Sequence, residues 1–162
     1  MPEIKYQCTI NAPPTRVYDA LTDQAHIAKW WTPDCTIEHQ VGGHATFEFK
    51  AANGSVDGYS LMRIEKLVPG ALVEWKCVEQ DYQGNNDWIG TTIRFSLTRN
   101  SQQGTDLDFV HADWKTTEGT FHRCTDGWRH VIGTSLKNYL EIGKGEPYLA
   151  HLAKETSTRK AS

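Results

Sequence analysis

The stretch TFHRCTDGWRHVIGTSLKNYLEIG, residues 120–143, decides the fold. Its apolar positions recur every three or four residues, which predicts one long amphipathic helix that buries a single stripe. Gly143 follows the last apolar position and is the residue type that most often ends a helix. The stripe consists of Phe121, Cys124, Trp128, Ile132, Ser135 or Leu136, and Tyr139.

The chain before this helix is dominated by strand patterns. Residues 4–10 alternate apolar and polar side chains, and so do HATFEFK, ALVEWKCVEQ, WIGTTIRFSLTR and TDLDFVHADW further along. Short turn signals such as NGS at residues 53–55 separate these runs. Because short turns join antiparallel neighbours, the pattern predicts an antiparallel sheet of about six or seven strands.

Two short helices are predicted between the first strand and the rest of the sheet. Pro13 and Pro14 stand where a missing N–H is tolerated at a helix start, and a second helical piece covers residues 24–29. Together these patterns predict an α+β fold of the helix-grip type, in which a curved sheet wraps around the long C-terminal helix.

Length and composition limit the protein class. A chain of 162 residues with net charge -3 favours one globular domain and argues against a nucleic-acid partner. No apolar run approaches the length of a membrane-spanning helix, and the N-terminus carries no apolar signal segment. The four cysteines stand far apart, so we expect free thiols, a cytoplasmic location and no membrane insertion.

The alternation of side chains along a strand indicates which polar residues face the interior and could take part in catalysis. In TDLDFVHADW it places His111 and Asp113 on the apolar face, where a buried imidazole beside a carboxylate could act as an acid/base pair. The alternative is a structural His111 that donates to a backbone carbonyl. The other imidazoles considered within reach are His44, His122 and His130.

For the cysteines and two of the tryptophans, the sequence indicates structural roles. Cys77 and Cys124 could face each other across the interior, but buried free cysteines usually pack as small hydrophobes. Trp88 and Trp114 lie near strand ends, where they could form a pocket rim or a dimer contact. The Cys and His spacings match no metal motif, so we expect neither metal nor cofactor.

Several motifs resemble the family of activators of heat-shock-protein-90 ATPase homologues. They are APPTRVYDALTD, the Trp30–Trp31 pair, the Gly-Gly and FEF hairpin, VPGALVEWKC, and GW-x7-LKNYLE-x-G-x-G-x-P at residues 127–147. The resemblance spans roughly residues 3–147. This family is part of the START-like (SRPBCC) superfamily of polyketide cyclases and birch-pollen-allergen-like proteins, whose fold is the helix-grip.

The resemblance implies a pocket between the inner sheet face and the last helix, without a catalytic motif. By position its lining would comprise Trp30, Trp31, Phe47, Phe49, Trp75, Cys77, Thr91, Ile93, Phe95, Phe109, His111, Phe121, Cys124 and Trp128. Residues 1–147 would form a single START-like domain, and residues 148–162 a polar tail that we expect to be mobile.

Three functions are compatible with these expectations. The first is binding of a small apolar molecule, with His111 orienting one polar end of the ligand. The second is a cyclase or dehydratase that uses the same cavity, and the third is a protein-binding adaptor of the co-chaperone kind. A homodimer is possible in each case.

Overall fold

A computed structural model describes residues 2–51 and 53–148. Seven strands and a broken C-terminal helix account for most of them, and the predicted α+β helix-grip fold is confirmed. The elements are β1 (Ile4–Ile10), α1 (Pro14–Thr22), α2 (Gln24–Trp30), β2 (Cys35–Ile37), β3 (His44–Lys50), β4 (Val56–Val68), β5 (Leu72–Tyr82), β6 (Thr92–Arg99), β7 (Thr105–Ala112), α3 (Phe121–His130), a π-helical segment (Val131–Leu136) and α4 (Lys137–Ile142).

The strands form one antiparallel sheet in the order β1-β7-β6-β5-β4-β3-β2. Consecutive strands from β2 to β7 are neighbours in the sheet, most of them joined by short turns and β5 and β6 by a longer loop, and β1 completes the sheet by pairing with β7. Register shifts in β4 and at the end of β3 mark bulges, which bend strands and increase their twist.

Buried and more exposed side chains alternate along the strands as predicted, and the buried ones form a mostly apolar inner face of the sheet. Trp75 on β5 lies opposite Ile93 on β6, which lies opposite His111 on β7, and all three side chains are fully buried. Val73, Phe95 and Phe109 repeat this arrangement one step along the strands.

The closing helix runs from Phe121 to Ile142 but is not uniformly α-helical. The N–H of Lys137 donates to the carbonyl of Ile132, five residues back, which is the bond that defines a π-helix. The regular apolar spacing predicted an unbroken α-helix, and it does not reveal this extra residue. Gly143 ends the helix with φ +80°, as predicted.

The helix approaches the sheet closely at this π-helical segment. A Cβ added to Gly133 would overlap the hydroxyl of Tyr6 on β1, so a larger residue there would require the Tyr6 side chain to move. No helix among the described residues is long and apolar enough to cross a bilayer.

Candidate functional site

Aromatic side chains fill the space between the sheet centre and the closing helix. Trp31, which follows α2, stacks parallel to Trp75 at a ring-centroid distance of 6.3 Å and contacts Phe47 at 4.4 Å. Trp128 on α3 packs against Trp31 at 5.4 Å and against Phe109 at 4.6 Å. The centre of the grip is therefore a packed core rather than an open pocket.

A cavity of about 200 Å³ remains beside this core. It lies between the sheet, at the C-terminal ends of β3 and β5 and the first half of β4, and the first half of the closing helix. Its walls are mostly aromatic and aliphatic, with a few neutral polar groups and one cation. The lining residues are Trp31, Phe49, Ser60, Gln80, Tyr82, Asn85, Trp88, Thr120, Arg123, Cys124, Gly127, Trp128, Val131 and Tyr148.

Four of the expected lining residues border this cavity: Trp31, Phe49, Cys124 and Trp128. The other ten are placed elsewhere, because the aromatic core occupies the sheet centre and leaves space only towards one end. Those ten are Trp30, Phe47, Trp75, Cys77, Thr91, Ile93, Phe95, Phe109, His111 and Phe121.

One wall of the cavity is formed by the loop between β5 and β6, and the side-chain alternation of the strands did not predict it. Trp88 in this loop is buried, stacks on Trp128 at 5.7 Å, and donates from Nε1 to the sulfur of Cys124 over 3.4 Å. The loop folds inward because Asp87 accepts hydrogen bonds from Asn85 and from the backbone and hydroxyl of Thr120. Trp88 therefore forms a buried wall of the cavity instead of the exposed rim or dimer contact considered for it from the sequence.

His111 lies in the middle of a hydrogen-bond chain whose direction is fixed by the indole donor of Trp128. Trp128 Nε1 donates to His111 Nδ1 over 3.1 Å, and an indole nitrogen cannot accept, so Nδ1 carries no proton. The proton is therefore on Nε2, which donates to Thr91 Oγ1 over 2.8 Å. Thr91 in turn donates to the carbonyl of Trp88 over 2.6 Å.

This arrangement keeps the His111 ring neutral and engages both of its nitrogens in hydrogen bonds. Burial lowers the pKa of His111 from 6.5 to about 3, and a second proton on Nδ1 would point at the N–H of Trp128. Both ring nitrogens are used, so His111 offers no free group to a ligand. The expected backbone acceptor is replaced by a threonine hydroxyl.

The acid/base pair of His111 with Asp113, one of the two readings that the sequence left open, is not formed. Strand β7 ends at Ala112, and Asp113 adopts φ +66°, which turns its side chain to the exposed surface. There it accepts a hydrogen bond from Thr92 Oγ1 over 2.9 Å. Trp114 points inward instead and is fully buried, so it forms neither a rim nor an exposed contact.

The other imidazoles and the thiols do not complete an acid/base or nucleophilic site. His44 lies beside Glu38, His130 lies beside Glu146, and His122 is exposed. Burial raises the pKa of Cys77 to about 12 and also raises that of Cys124, so both thiols stay protonated near neutral pH. Among residues 2–51 and 53–148, no three His, Cys, Asp or Glu side chains gather to hold a metal ion.

Residues 143–148, here called the strap, close one side of the cavity. Ser135 Oγ donates to the carbonyl of Trp30 over 2.6 Å and accepts from the backbone of Glu146 over 2.7 Å. Tyr148 donates its backbone N–H to Trp31, packs on Phe49 at 5.1 Å and lines the cavity. Tyr148 therefore packs on the domain instead of beginning the tail, while the rest of the expected tail lies outside the described residues.

Comparisons with known proteins agree with this architecture. A solution structure described as the Aha1 dimer from Colwellia psychrerythraea is 32% identical, covers 90% of this chain and 100% of its own, and superposes with a TM-score of 0.72. Protein CV1439 from Chromobacterium violaceum is 26% identical over 87% of this chain and 99% of its own, with a TM-score of 0.68.

A third structure shows the shared fold alone. PFC0360w, described as an HSP90 activator from Plasmodium falciparum, is 18% identical over 85% of this chain and 92% of its own, with a TM-score of 0.60. A comparison with curated proteins found no match. The family model described as activator of Hsp90 ATPase homolog 1-like protein matches residues 11–141, which is most of the chain. The chain therefore belongs to the activator of Hsp90 ATPase homolog 1-like family.

Proposed function

We propose that this protein binds a small apolar molecule in the cavity between the sheet and the first half of the closing helix. The observation that carries the proposal is the cavity itself, which persists beside a densely packed aromatic core. Trp31, Phe49, Trp88 and Trp128 form its walls. Ligand sites in proteins are typically concave, mostly apolar and supplied with a few polar groups, and this cavity has that composition.

The volume favours a compact ligand. An apolar cavity of about 150 Å³ holds benzene, so the roughly 200 Å³ found here suits a compound with one or two rings. Burial of about 200 Å² of ligand surface contributes about 5 kcal/mol at ~25 cal/mol per Å², before the entropic cost of association. We therefore expect modest affinity from apolar contact alone.

A cyclase or dehydratase activity receives less support. Its expected acid/base group was His111, whose two nitrogens are both engaged and whose pKa is low. Asp113 is exposed and faces away. Such an enzyme would need another proton-transfer group at the cavity, and we place binding first.

Tryptophan side-chain resonances test the binding proposal. The chain has six tryptophans, of which Trp31, Trp88 and Trp128 border the cavity, while the other three lie in the core. Titration of uniformly 15N-labelled protein with 1-naphthol should shift the three cavity indole N–H signals. The indole signals of Trp30, Trp75 and Trp114 serve as an internal control.

The opposite pattern would overturn the proposal. Shifts confined to the core tryptophans, uniform small shifts, or no saturable shift at millimolar 1-naphthol would each exclude this cavity as the binding site. The same titration at two protein concentrations separates binding from aggregation of the probe.

Activation of an Hsp90-type ATPase is the second candidate. It is supported by the family to which the chain belongs and by the 32% identity to the Aha1 structure. The test is the steady-state ATPase rate of a purified Hsp90 with increasing amounts of this protein. A saturable rise would support the adaptor function, and an unchanged rate would remove it.

We further propose a homodimer and a cytoplasmic location. The Aha1 structure from Colwellia psychrerythraea is described as a dimer, which supports the first proposal. All four cysteines are free, as expected in a reducing compartment. Light scattering coupled to size-exclusion chromatography would distinguish about 37 kDa for a dimer from the 18.3 kDa of one chain.

A further inference from the structure

The cavity wall carries one charged side chain among its lining residues, Arg123. Its guanidinium lies within ion-pair distance of no carboxylate in the described part of the chain. An unpaired cation at the edge of an apolar cavity is a feature that a bound anion would complete.

Arg123 belongs to the cavity-facing stripe of the closing helix. The residues of this stripe recur at helical spacing and are otherwise neutral: Thr120, Cys124, Gly127, Trp128 and Val131. Arg123 lines the cavity and is also exposed, so its side chain extends from the apolar wall towards solvent. Burial raises the pKa of the Cys124 thiol, and the nearby charge of Arg123 partly opposes this rise.

Two carboxylates whose partners line the cavity are engaged in hydrogen bonds of their own. Asp87 accepts hydrogen bonds from Asn85 and Thr120, and these bonds, above all the one from Asn85, hold its pKa below the usual value. Asp57 accepts from the hydroxyl of Tyr148 over 3.2 Å. Neither carboxylate forms an ion pair with Arg123, so the guanidinium can pair with the carboxylate of a ligand.

We propose that the cavity takes a small ring compound bearing a carboxylate, with the ring among Trp31, Trp88 and Trp128 and the carboxylate on Arg123. A guanidinium presents parallel N–H groups that match the two oxygens of a carboxylate. This inference rests on the proposed binding function and adds the charge of the ligand.

The test compares two nearly isosteric probes, 2-naphthoate and the neutral 2-naphthamide, by isothermal titration calorimetry. The wild-type protein should bind 2-naphthoate about tenfold more tightly than 2-naphthamide. Arg123→Gln should remove this preference, because it should weaken 2-naphthoate about tenfold more than it weakens 2-naphthamide. Arg129→Gln is the matched control, because Arg129 is exposed on the same helix and does not border the cavity.

Salt gives an independent readout. Raising sodium chloride from low to physiological strength should weaken 2-naphthoate binding and leave 2-naphthamide binding unaltered, because only the charged pair is screened. Equal affinity for both probes, or equal effects of Arg123→Gln and Arg129→Gln, would overturn the carboxylate inference and leave the apolar binding function intact. Absence of binding by either probe would overturn both.

Discussion

Trp128 on the closing helix donates a 3.1 Å hydrogen bond to His111 on the inner face of β7, the strand next to one edge of the sheet. The bond joins the closing helix to the inner face of the sheet within a core that is mostly apolar. It also fixes the position of Trp128, whose ring forms part of the cavity wall. A histidine that sequence reasoning considers for catalysis thereby acts as a positioning residue.

His111→Phe should lower the free energy of unfolding by about 2 kcal/mol, because it leaves the buried Trp128 N–H without its acceptor. Urea unfolding monitored by tryptophan fluorescence measures the change. His122→Phe places the same ring at an exposed position and should change stability by less than about 0.5 kcal/mol. Equal stability of the two variants would contradict the positioning role.

The buried neutral state of His111 predicts a pH dependence. Its pKa in the folded protein is about 3 against 6.5 in the unfolded chain, so below pH 6.5 the unfolded state binds the extra proton. The contribution to stability is fully present above pH 6.5 and falls by about 1.4 kcal/mol per pH unit as pH drops towards 3.

The experiment compares urea midpoints of wild type and His111→Phe at pH 7, 6 and 5. The difference in unfolding free energy between the two proteins should shrink with falling pH. A constant difference would mean that His111 is protonated in both states or in neither.

The fold was predictable because side-chain periodicity reports burial directly. The alternation around Trp75, Ile93 and Phe109 indicated the inner sheet face, and the spacing from Phe121 to Tyr139 indicated the closing helix. Both patterns depend on local geometry alone. The π-helical segment was not predicted, because one extra residue leaves the spacing of the apolar positions almost unchanged.

The cavity was only partly predictable, since its position depends on how large side chains share the interior. Trp31 and Trp75 fill the sheet centre by stacking, and no local pattern indicates which ring takes that space. Asp113 leaves the strand by a positive φ that parity cannot foresee. Trp88 and Tyr148 reach the cavity from a loop and from the strap through long-range hydrogen bonds.

Two glycines near the cavity should respond oppositely to alanine. A Cβ on Gly127 meets nothing within 4 Å in a helix, so Gly127→Ala should stabilise the protein by about 0.5–1 kcal/mol. Gly119 has φ +66°, and its Cβ would lie 2.5 Å from Asp87 Oδ2. Gly119→Ala should therefore cost about 1–2 kcal/mol in thermal or urea unfolding. Changes of the same sign would contradict this geometry.

Ser135→Ala should loosen the strap, because one hydroxyl bonds both Trp30 and Glu146. We expect a loss of about 1–3 kcal/mol and faster amide hydrogen exchange at Tyr148. Thr134→Ala, at the neighbouring position, should leave exchange at Tyr148 unchanged. Unaltered exchange in Ser135→Ala would show that the strap is held by other contacts.

The most direct test of the central claim blocks the cavity and measures binding. Gly127→Leu and Ser60→Leu add side chains to opposite walls, and Asp126→Leu adds the same side chain at an exposed position beside the cavity. With 1-naphthol as the probe in calorimetry, both blocking variants should lose at least tenfold in affinity while Asp126→Leu binds like wild type. Undiminished binding by folded Gly127→Leu and Ser60→Leu would contradict the claim that this cavity is the ligand site.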